Sequence, residues 1–130
     1  MSTILNFILV VNGLYDLCCG ICVLADAHHA LAHIHAAVFS VHHKPRRGSL
    51  SRRFIGYWIL TYAGPRLAAG LWGPRPDLDV VCAYTYLIEG MAYHAEHSHF
   101  GTASSCGVAL VSGTSYALAI AVAWRSLAAL

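Results

Sequence analysis

From Thr3 to Ala25 the chain reads TILNFILVVNGLYDLCCGICVLA, an apolar run interrupted by one charged residue, Asp16. About 20 mainly apolar residues suffice for a helix to span a bilayer, so this run alone restricts the chain to few folds. The rest of the sequence agrees: 58% of its 130 residues are hydrophobic and 11% are charged, against roughly 25% charged in an ordinary soluble domain. Mean hydropathy is +0.58. The sequence therefore predicts an all-α integral membrane protein, and its length allows a single membrane domain over residues 1–130. Five cysteines, an odd number lying mostly inside apolar runs, do not form the disulfide framework of a small secreted protein. A net charge of +2, dispersed through apolar sequence, excludes a nucleic-acid partner.

Three further runs carry the same signature, at Phe54–Trp72, Leu78–Tyr93 and Phe100–Trp124. Four transmembrane helices are expected, over 3–25, 54–72, 78–93 and 100–124. Gly73, Pro74 and Pro76 set a tight turn before the third and shortest of them. The N-terminus lacks the basic region and cleavage site of a signal peptide, so the first helix is expected to be retained. On a helical wheel Asp26–His43 divides into an apolar arc of Ala27, Ala30, Leu31, Ile34, Ala37, Val38 and Val41 and a half holding all six of its histidines. That pattern predicts an amphipathic helix lying in the membrane interface between helices one and two, over about 26–43; the competing expectation is a straight extension of helix one. Lys44, Arg46, Arg47, Arg52 and Arg53 share one loop face, which the positive-inside rule makes cytosolic or matrix-facing and which offers contact to lipid headgroups. All nine histidines fall on that face, and both termini on the other.

Two groups of residues suggest chemistry. Asp16, Arg66 and Glu89 are ionisable groups inside expected spans, where charges are costly and normally paired. A buried Asp16–Arg66 pair with Glu89 nearby is expected, serving helix register, with proton relay or transport as the functional alternative. The segment YHAEHSHFGTASS, Tyr93–Ser105, is the second. With His29 and His33 one helical turn apart, His94, Glu96, His97 and His99 form a conceivable histidine-rich metal set of the kind a membrane oxygenase uses. No compact HxxHH element accompanies them, and a solvated hairpin end is the expected reading, with no metal and no cofactor. Small residues fill helix four, including Gly101, Ala103, Ser104, Ser105, Gly107, Ser112, Gly113 and Ser115, and favour close helix approach in lipid. CCGIC, with Cys18 and Cys22 one turn apart, reads as packing.

From Ser51 to about Ala123 the order of features resembles the ergosterol-biosynthesis protein 28 family. RRFIGYWIL resembles that family's Arg-led second span, with Arg66 at the place of a later basic residue. Glu96, Phe100, Gly101, Thr102, Ala103, Gly107 and Val108 match its acidic residue, aromatic residue, Gly-Thr-Ala and Gly-Val. The resemblance implies a non-catalytic scaffold of the endoplasmic reticulum that tethers the enzymes of sterol C-4 demethylation. The chain departs from that pattern in its histidine-rich first loop, in Gly64 and Pro65, and in lacking a charged C-terminal tail. The expected function is therefore a membrane scaffold or accessory subunit, not an enzyme, whose partners are other integral membrane proteins and membrane lipids. The alternatives are an accessory subunit of a mitochondrial respiratory complex, in the inner membrane, or of a photosynthetic complex, and a metal-dependent membrane oxygenase.

Overall fold

The computed structural model describes residues 2–27, 29–39 and 44–129. Its elements are helix α1 (Ser2–Leu24), a single helical turn α2 (Leu31–Ile34) that tightens into a 3-10 turn at His35–Val38, and three further long helices, α3 (Leu50–Leu71), α4 (Pro76–Ser98) and α5 (Ser105–Leu127). The helix starts follow local chemistry. Ser49 accepts from the Arg52 amide at 3.3 Å to cap α3, and Ser104 accepts from the Gly107 amide at 3.2 Å to cap α5. Pro76 opens α4, where its missing N–H costs nothing, followed by Asp77 and Asp79 beside the positive end of the helix dipole.

The long helices pack as two pairs, α1 with α3 and α4 with α5, while α3 joins the pairs and α1 and α5 touch sparingly. In the first pair glycines bring the backbones together: a Cβ on Gly13 would lie 2.8 Å from the Leu67 amide nitrogen, and one on Gly70 2.8 Å from that of Val10. The second pair is less intimate. Gly90 accommodates the Tyr116 ring, but Gly113, one of the small residues that suggested close packing of this helix, faces open space.

Among the described residues only two helices, Thr3–Leu24 with mean hydropathy 2.1 and Ser105–Leu127 with 1.8, are long and apolar enough to cross a membrane. This corrects the expectation of four transmembrane helices to an all-helical bundle with two candidate spans. The other two have the length without the apolarity: α3 mixes Arg52, Arg53 and Arg66 with Gly64 and Pro65, and α4 carries Asp77, Asp79, Glu89 and Glu96. The sidedness inferred from four crossings falls with them.

The expected interfacial helix over 26–43 is corrected as well. Asp26 turns into the left-handed region at φ 49°, which Asp tolerates better than most residues, and this ends any extension of α1. After the short α2 and the 3-10 turn, Phe39 is extended and forms an antiparallel bridge with Ala103. The Ser104 amide donates to the Val38 carbonyl at 2.9 Å. The segment is thus a strap tied to the α4–α5 connection, and it buries Ala32, His35 and Val38; His28, His42 and His43 lie outside the described residues.

Candidate functional site

The α3 stripe that faces the other helices places Arg66 at the centre of the bundle, 1% exposed. Its Nη1 lies 2.7 Å from Asp16 Oδ2 on α1, and its Nη2 2.8 Å from Glu89 Oε2 on α4. Longer contacts run from Nη1 to Asn12 Oδ1 and from Nε to Thr85 Oγ1, both at 3.4 Å. The rings of Tyr62 and Tyr86 lie 4.1 Å and 3.8 Å from the guanidinium carbon, supplying the electron-rich faces that favour a cation where water is absent. Tyr86 also donates to Asn12 Oδ1 at 2.6 Å, and Ser115 on α5 donates to Glu89 Oε2 at 2.9 Å. The structure therefore brings Asp16, Arg66 and Glu89 into one network that all four long helices share.

A cavity of about 170 Å³ opens beside this network, lined by α1, the strap, α4 and α5. Asn12, Tyr15, Asp16, Glu89 and Ser115 form its polar wall, and Ile34, Val38, Leu110, Val111 and Leu118 its apolar one. His35 from the strap also lines it, buried to 8% exposure, with Nε2 unpartnered among the described residues. Burial depresses the His35 pKa below its ordinary value, because desolvation disfavours the imidazolium.

A second buried arginine, unforeseen from sequence, closes the opposite end of the bundle. Arg125 Nε donates to Asp79 Oδ2 at 3.0 Å while Nη2 reaches Asp79 Oδ1, a two-pronged pair. Arg125 Nη1 donates to Asn6 Oδ1, and Nη2 to the Ala69 carbonyl at 3.3 Å. Arg125 stood in the sequence as one basic residue near a helix end. The signal that would have found its partner is the carboxylate of Asp79, set back into α4 beyond the exposed Asp77.

The histidine segment works locally. Helix α4 runs through it to Ser98, so His94 and His97 stand on the last helical turns. Gly101 takes φ 64°, a conformation glycine adopts without strain, and reverses the chain. Thr102 donates from its amide to the Glu96 carbonyl at 2.8 Å and from its hydroxyl to the Glu96 carboxylate, while His97 Nδ1 lies 3.0 Å from the Ala103 carbonyl. Ala103 is buried under Phe39, and a Cβ on Gly107 would meet Val38 Cα at 3.1 Å. The family-like residues Glu96, Gly101, Thr102, Ala103 and Gly107 thus shape the turn and seat the strap; Phe100 is exposed. Among the described residues no three His, Cys, Asp or Glu side chains gather with metal-binding geometry, so His29, His33, His94, Glu96, His97 and His99 do not form one site.

The basic loop is also divided. Arg52 is buried and donates to the Ala32 carbonyl at 2.9 Å; Arg47 pairs with Asp26 at 2.9 Å; Arg53 donates to the Gly48 carbonyl at 2.9 Å. Lys44 and Arg46 remain exposed.

No protein-family model matches this chain, and neither a curated protein nor a solved structure shows significant similarity to it.

Proposed function

We propose that the protein is a non-catalytic, membrane-embedded subunit that holds other integral membrane proteins together through its helical exterior. One observation carries this reading: the residue distribution is inside out. Asp16, Arg66, Asp79, Glu89 and Arg125 are buried, whereas Phe7 and Ile4 on α1, Phe54 and Trp72 on α3, Val80 and Tyr84 on α4, and Leu110, Ile120 and Trp124 on α5 are exposed. So extensive an apolar exterior marks contact with membrane or protein. Ionisable groups are tolerated in such a setting where they pair with one another, as these do.

The resemblance to the ergosterol-biosynthesis protein 28 family makes the enzymes of sterol C-4 demethylation the first partners to test, and the endoplasmic reticulum the first membrane to examine. Within the chain, Glu96, Gly101, Thr102 and Ala103 of the matching set build the α4–α5 turn. Partner choice then falls to the exposed faces. Affinity purification in mild detergent, followed by mass spectrometry, tests the proposal. Stoichiometric recovery of other integral membrane proteins is the expected result, and recovery of sterol-modifying enzymes would bear out the family likeness. A chain that elutes alone in detergent and in native nanodiscs would sink the scaffold reading.

A further inference from the structure

The cavity beside Arg66 calls for an occupant on three independent grounds. The first is charge. Asp16 and Glu89 share one guanidinium, with no other cation in contact among the described residues, so the site takes one further positive charge: a proton on a carboxylate when the cavity is empty, or an ammonium when it is filled. The second is bonding capacity. Arg66 and Ser115 engage Asp16 Oδ2 and Glu89 Oε2, while Asp16 Oδ1 and Glu89 Oε1 accept no hydrogen bond from the described residues. The third is shape. At about 170 Å³ the space is several times the roughly 30 Å³ that one water molecule occupies in the liquid.

We infer that this cavity binds a small organic monocation, a protonated alkylamine, with its ammonium against Asp16 and Glu89 and its hydrocarbon against Val38, Leu110 and Val111. An ammonium supplies the missing positive charge and up to three N–H donors for the two idle carboxylate oxygens. The Tyr15 and Tyr86 rings border the same space and suit a cation. His35, kept neutral by burial, offers an acceptor nitrogen in the tautomer that leaves Nε2 unprotonated. A bare metal ion fits worse: hard cations require oxygen on most sides, and one wall here is hydrocarbon. This ligand site is separate from the scaffold role and stands or falls without it.

Calorimetric titration of the full chain in mild detergent with n-butylammonium chloride tests the inference, with 1-butanol as the neutral analogue of the same shape. Saturable one-to-one binding of n-butylammonium, absent for 1-butanol, is the expected result. Glu89→Gln leaves Arg66 and Asp16 as a neutral pair and should weaken the amine on the order of tenfold or more, with thermal stability retained. Thr114→Trp fills the cavity from α5 without altering the charged groups, so it decides the matter even where Glu89→Gln folds poorly; it should abolish binding. Equal binding of the alcohol and the amine, unchanged affinity in Thr114→Trp, or no saturable binding of n-butylammonium to the parent chain would each overturn the inference.

Discussion

Arg66 and Arg125 are both buried guanidiniums that tie helices together, yet one network is balanced and the other is not. Arg125 meets Asp79 one to one, and its remaining donors go to neutral oxygens of Asn6 and Ala69. Arg66 meets two carboxylates and borders a cavity. A one-to-one pair with no carboxylate left over specifies a contact and invites nothing else. An unmatched one retains an electrostatic demand, and the chain keeps space beside it. The Arg125 site thus reads as a fastening and the Arg66 site as a receptor, although their residue types are nearly the same.

Substitutions at the two sites should separate these roles. The largest loss is expected from Arg66→Met, which strands two buried carboxylates; about 3 to 5 kcal/mol is the usual cost of breaking one buried pair, and here both depend on the same group. Thermal unfolding in detergent would register it, and adding Asp16→Asn with Glu89→Gln should restore much of the stability. Next comes the asymmetry between carboxylates. Asp79→Asn should cost about 3 kcal/mol because it leaves Arg125 buried and unpaired, whereas Glu89→Gln should cost far less because Asp16 still answers Arg66. Equal losses in the two variants would erase the distinction between the sites.

A third substitution probes the helix pair that carries Asp16 and Arg66. Gly70→Ala places a methyl 2.8 Å from the Val10 amide nitrogen, and overpacking of this kind costs roughly 1 to 3 kcal/mol; Gly113→Ala, facing open space, should be nearly silent.

The smallest effect concerns pH. Because burial lowers the His35 pKa from its ordinary 6.5, the unfolded chain binds a proton there that the folded chain does not. Stability from this group is therefore complete above about pH 6.5 and declines as pH falls below it, by at most ~1.4 kcal/mol per pH unit. His35→Leu should flatten that part of the stability profile, and an unchanged slope would show that His35 titrates normally.

How much of this was legible beforehand depends on which residues are counted as core. The buried positions of α3 include Arg52, Gly56, Ile59, Ala63, Arg66 and Gly70, and those of α4 include Asp79, Cys82, Tyr86, Glu89 and Tyr93. They step by four and three, the seven-residue repeat of helices packed at a shallow angle. A search for apolar periodicity misses these stripes, since apart from Ile59 their members are charged, small or aromatic while many of the greasy residues point outward. Asp16, Arg66 and Glu89 were conspicuous because they interrupt apolar runs. Asp79 and Arg125 lie near run ends, where charge is unremarked. The four helical segments were visible, with boundaries displaced by the caps at Ser49 and Ser104. The strap was not, because a helical wheel assumes a helix, and the strap is held by a bridge from Phe39 to a residue far along the chain, Ala103.

The two ties across the bundle also constrain traffic. At one end the strap is hydrogen-bonded to the α4–α5 connection; at the other, Arg125 links α5 to Asn6 of α1 and Asp79 of α4. Between these fastenings α1 and α5 touch sparingly, and Leu110 stands 72% exposed where the cavity opens along that seam. A visitor therefore arrives sideways, between two staves of a hooped barrel, and not down its axis. Within a bilayer that doorway faces the acyl chains, so admission would be set by how readily a compound dissolves in lipid before it ever meets a charge.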